Sequence, residues 1–189
     1  MPGIRDTAYP QLKSTPSAKE LEEVYTSNLV ELVWAEKRPR ERMPRVGLLV
    51  LLKTFQRLGY FVMLSDVPLP ILEHVAQCAG YQAVHEDSIR YGESSVRRRH
   101  MLLVRDYVGV KAWGEETLQS MQSASRDAAR TLEDLADIIN FALEQLVRQR
   151  FELPAFSMLH REAQPLARWS IESINRWSAT GSIRRRRGN

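Results

Sequence analysis

Cysteine is almost absent from this chain. Cys78 is the single one in 189 residues, so no disulfide can form within it, and the composition suits a reducing compartment. Glycine and proline are scarce, nine of each, and with 43% apolar residues this excludes a disordered or low-complexity chain. Long apolar runs are missing too: "VGLLVLL" ends at Lys53, far short of the roughly 18 residues that a membrane span needs. The opening "MPGIRDTAYPQLK" has no apolar core and does not read as a signal peptide. A soluble cytoplasmic protein with no membrane partner is the expectation.

The groups that carry chemistry are equally sparse. His74, His85, His100 and His160 lie far apart, with no His-x-x-x-His or Cys-x-x-Cys pairing to suggest a metal. No glycine-rich loop is present to cradle a phosphate or a cofactor. His100 falls within about 40° of a face formed by Val96, Leu103, Tyr107 and Val110, which reads as a core histidine. Glu133, Asp134 and Asp137 read as a solvated acidic face. The expectation is a protein with no metal, no small-molecule cofactor and no enzymatic activity.

What is present is helical periodicity. Residues 1–16 carry three prolines and no period, and read as an extended N-terminal arm. "SAKE" at Ser17–Glu20 is a capping box that opens a helix to about Thr26. "SNLVELVWAEK" begins a second, with Leu29, Leu32 and Val33 on one face. The third, "RVGLLVLLKTFQRLG", is apolar almost all round, with Pro44 in its first turn. Its exception is a stripe of Arg45, Lys53, Gln56 and Arg57, expected to face water. "PLPILEHVAQCAG" places Leu72, Val75, Ala76 and Ala79 inward and stops at Gly80.

Beyond residue 113 a seam of Leu118, Met121, Ser125, Ala128, Leu132, Leu135, Ile139, Ala142 and Leu146 recurs in steps of three and four. The spacing predicts one continuous spine helix over 114–150, either packed in a bundle or self-associating through residues 118–146. A further helix over 151–180, kinked near Pro165, and a basic tail over 181–189 complete the chain. No strand alternation is evident. The fold class is all-α: a multi-helix bundle of helix-turn-helix-like type, with residues 17–113 as its main domain.

Charge is segregated. Glu36 to Arg57 holds seven basic residues against two acidic, and Arg90 to Lys111 holds six against two. Glu115 to Val147 holds two against seven. Two cationic blocks in a chain of net charge +4 point to an anionic partner, nucleic acid first, with salt bridging to the acidic segment as the alternative. The sharpest case is "GESSVRRRHMLLVRDYVGVKAW". Ser95, or Ser94 before it, can cap a helix whose first turn then carries Arg97, Arg98 and Arg99. Cations there oppose the helix dipole at roughly 0.3–1 kcal/mol each, unless an anion meets them. The bland alternative is that they extend into water or meet acidic neighbours.

These pieces occur in an order that resembles the N-terminal DNA-binding region of Tn3-family transposases (DUF4158-like). The likeness is carried by "YTSNL" at Tyr25–Leu29, by Arg45, Gly47 and Gly59, and by "VPLPILEHVA" followed by Gly80. It continues through Tyr91, His100, Arg105, Tyr107, Gly109 and Trp113, then "ELPAFSMLHREA" at Glu152–Ala163, and fades after about Gln164. The resemblance implies recognition of the terminal inverted repeats of a transposon. It also implies that strand-transfer chemistry belongs to a separate acidic domain, which this length cannot hold. The partner expected is therefore double-stranded DNA, with a homodimer as a further possibility. Arg38, Arg40, Arg42, Arg45, Lys53, Arg57, Arg97, Arg98, Arg99, Arg105 and Lys111 are the DNA-contacting candidates.

Overall fold

The computed structural model describes residues 3–37, 42–81, 91 and 94–167, with the side chains of Arg42 and Met43 left aside. The described residues are helical and include no strand. They fall into two compact units, Pro10–Lys111 and a second that joins the first nine residues to everything from Ala112 on.

The unit Pro10–Lys111 is built around one buried helix. Ser17 accepts the Glu20 N–H and starts α1 (Ala18–Glu20), which continues as a π-helical segment, Leu21–Tyr25. Asn28 and Glu31 then form a reciprocal capping box that opens α2 (Leu29–Glu36). α3 (Arg42–Leu58) is the axis of the unit: Val46, Leu48, Leu49, Val50, Leu51 and Leu52 are fully buried, each contributing about 1.5–3 kcal/mol of apolar transfer. Thr54, buried among them, donates its hydroxyl proton to the Val50 carbonyl, so its hydroxyl is not stranded. α4 (Leu69–Cys78) buries Ile71, Leu72, Val75 and Ala76, and ends with Gly80 in the left-handed region, as its sequence predicts. α5 (Ser95–Val108) closes the unit against α3 and ends in left-handed Gly109.

Two sequence expectations change here. The buried side of α2 is centred on Glu31 and Ala35, while Leu29 and Val33 are exposed. Lys53 also leaves the expected exposed stripe of α3 and lies inside, 8% exposed. One interaction explains both. The Lys53 ammonium lies 3.3 Å from the Glu31 carboxylate, which also accepts from the Gln56 amide at 2.9 Å and from the Asn28 N–H at 2.9 Å. A charged pair satisfied on this many sides can be buried, and burying it turns α2 so that Leu29, Val30 and Val33 face outward.

In the other unit the continuous spine helix over 114–150 does not form. The segment folds into two helices, α6 (Glu115–Ala128) and α7 (Leu135–Arg148), which pack on one another. The chain turns where the Ala128 carbonyl takes the N–H groups of Thr131 and Leu132, and Asp134 restarts the helix by capping the Ala136 N–H. Ser120 and Gln149 are hydrogen-bonded at the far end, so the pair is an antiparallel hairpin. Met121, Ser125 and Ala128 are buried together with Ile139, Ala142 and Leu146. The buried part of the seam of 118–146 is thus shared between the two helices of a hairpin instead of lying along one spine. The arm is held as well: Tyr9 donates to the Pro154 carbonyl and meets Phe156 edge-on. α8, over 156–167, is the last described element; the expected continuation to 180 and the tail 181–189 lie outside the described residues.

Candidate nucleic-acid interface

The cationic candidates separate by environment. Arg38 and Arg40 lie outside the described residues, as does the side chain of Arg42. Lys53 is committed to Glu31. Arg45 is half-buried and donates to the Tyr81 hydroxyl at 3.1 Å. Arg57 is exposed at the end of α3, beside Tyr25, whose phenol is raised by burial and drawn back by that guanidinium. Lys111 is exposed beyond α5.

α5 itself divides its arginines. Its cap is Ser94, which accepts the Arg97 N–H, so Arg97, Arg98 and Arg99 occupy the third to fifth helical positions. Arg97 turns inward: its guanidinium donates to the Val62 carbonyl at 2.9 Å and reaches the Met101 sulfur. Burial lowers its pKa, and its Nε is enclosed with no hydrogen-bond partner among the described residues. Arg105 lies over the Phe61 ring, 4.9 Å from its centre, so two arginines of the helix grip residues 61–62. Arg105 does not share an exposed line with Arg98, as phase alone suggests; it is half-buried while Arg98 is exposed. Arg98 and Arg99 face solvent, and no ion pair or hydrogen bond holds either guanidinium among the described residues.

A second pin fixes the helix. His100, 4% exposed, meets the buried Tyr91 hydroxyl through Nδ1 at 2.6 Å. Burial first, and the charge of Arg99 second, push the imidazole down to about 4, so it is neutral at pH 7. Burial pushes the Tyr91 phenol well above its ordinary range. Phenol and neutral imidazole thus share one buried hydrogen bond at Nδ1. Room for Tyr91 comes from Gly47 of α3: a Cβ there would stand 2.5 Å from the tyrosine ring.

Arg97 and His100 together set the rotation of α5 about its axis. The side that remains outward holds Ser95, Arg98, Arg99, Leu102 and Asp106. Leu102 is 62% exposed in the middle of this stripe. The sequence reading passed over it, although its phase between Arg98, Arg99 and Asp106 places it outward. The outward face of α2 is different in kind: Leu29, Val30 and Val33 line an open apolar groove with Trp34, Lys37 and Tyr107.

Among the described residues no three His, Cys, Asp or Glu side chains gather to hold a metal, and no helix is long and apolar enough to cross a membrane. Among the described residues, fold and site define an all-helical protein with an arginine pair, Arg98 and Arg99, that no ion pair neutralises near a helix start. A family model described as a domain of unknown function, DUF4158, matches residues 3–164, and the chain belongs to that family. No curated protein and no solved structure matches it.

Proposed function

We propose that this chain binds double-stranded DNA, acting by recognition rather than by catalysis, in the manner of the inverted-repeat-binding region of a Tn3-family transposase. The reading takes its partner from the cationic surface and its biological setting, transposition in the cytoplasm, from the ordered sequence resemblance. The helix-turn-helix-like character belongs to the same proposal, with α5 as the helix presented to DNA. The observation that carries it is the exposed pair Arg98 and Arg99 near the start of α5, unpaired among the described residues. Arg97 is held by the Val62 carbonyl and Lys53 by the Glu31 carboxylate. Arg98 and Arg99 instead are left to an anionic partner from outside, and a duplex supplies that negative potential.

The test is the salt dependence of duplex binding. Each neutralised phosphate contributes about −0.9 to the slope of log K against log salt, so affinity should fall steeply as salt rises, and Arg98→Gln/Arg99→Gln should weaken duplex binding. Both positions are exposed, so the variant should melt no lower than wild type. A flat salt response in the wild-type protein, or no binding at low salt, would remove the DNA reading.

A further inference from the structure

We propose that α5 enters the DNA major groove and reads base edges, with Leu102 packed on a thymine methyl group and Arg98 and Arg99 donating to guanine. The proposal rests on the duplex-binding reading above and specifies how sequence would be discriminated.

Three observations carry it. The first is composition. Phosphates reward cations alone, yet the outward stripe of α5 places a 62% exposed leucine after its two arginines and an exposed aspartate one turn further on. An apolar group finds a favourable partner on DNA at the thymine methyl, which only the major groove displays. Aspartate there would face phosphate repulsion on the backbone, whereas in the groove it can accept from the cytosine amino group. The second is rigidity. Arg97 on the Val62 carbonyl and His100 on Tyr91 hold the helix from its inner side, so the stripe is presented in one fixed rotation. Such presentation lowers the ordering cost of a specific contact. The third is reach. From Ser95 to Leu102 the helix advances roughly 10 Å at 1.5 Å per residue, about three base-pair steps of 3.4 Å. That matches the short stretch that the first turns of a recognition helix cover in other DNA-binding folds.

The experiment uses the full chain. Sites selected by the wild-type protein from a random duplex pool should share a motif with guanine and thymine within about three adjacent pairs. Replacing the critical thymine by deoxyuridine deletes one methyl group and should weaken wild-type binding about fourfold. Leu102→Ala should bind the thymine and deoxyuridine duplexes equally, with an unchanged salt slope. Arg98→Gln should relax the guanine preference. If the wild type binds duplex with a steep salt dependence but selects no motif, base readout falls while DNA binding stands. The same follows if the wild type ignores deoxyuridine at every selected thymine. Absence of any duplex binding overturns both.

Discussion

The neutral histidine behind the arginines makes the stability of this unit depend on pH in a predictable direction. His100 titrates near 6.5 in an unfolded chain and at about 4 in the folded one. Between those values the unfolded chain takes up a proton that the folded chain refuses, so acidification favours unfolding. The contribution is fully present above pH 6.5, falls by about 1.4 kcal/mol per unit of pH below it, and is lost near pH 4. Over the whole window the loss is about 3 kcal/mol, a large part of an ordinary domain's stability. Other acid-sensitive groups contribute as well, so the informative quantity is a difference between variants. His100→Asn keeps a polar atom near the Tyr91 hydroxyl but has nothing to titrate. Its cost at pH 7 is a fixed offset. As pH falls to 4.5 the wild type should surrender about 2 kcal/mol of its lead over the variant. Urea titrations followed on amide resonances of α3 and α5 would report this unit separately from the other. An offset that stays constant within about 0.5 kcal/mol from pH 7 to 4.5 would refute the buried neutral imidazole.

Two further substitutions probe the scaffold. Gly47→Ala should destabilise the Pro10–Lys111 unit by about 1–3 kcal/mol, although alanine is the better helix former, because the new methyl meets the Tyr91 ring; a melt at or above wild type would contradict that contact. Lys53→Met should cost about 3–5 kcal/mol by stranding the Glu31 carboxylate, and Glu31→Gln in the same chain should recover most of it. A stable single variant in denaturant titration would show that the pair is not needed.

Local chemistry was legible wherever it acts within a few residues. The starts at Ser17 and Ser94 and the stop at Gly80 follow from side chains that serve their own turn of backbone. The core placement of His100 followed from phase alone, and phase also places Arg97, three residues earlier, on the same side of the helix. The run of three arginines masks that signal, because three like residues in a row suggest one common role. What sequence could not supply was partners remote in the chain. Glu31 is buried because of Lys53, twenty-two residues on, and no periodicity within α2 announces that. The hairpin of α6 and α7 shows the same limit. A three-four seam reports which side of a helix is apolar, and it reads alike whether the axis continues or reverses. Asp134, a strong capping residue, was the local sign of the reversal.

The two inward pins of α5 also bear on how this family can vary. Because Arg97 and His100 engage residues 62 and 91, the angular position of everything after them is counted from those contacts. Substitutions on the outer stripe leave that count untouched, so Arg98, Arg99 and Leu102 can change while the scaffold stays the same. One residue inserted after His100 would advance the rest of the helix by about 100° and carry Leu102 off the stripe. Relatives should therefore differ at these outward positions by replacement and keep the spacing from Tyr91 to Gly109 constant.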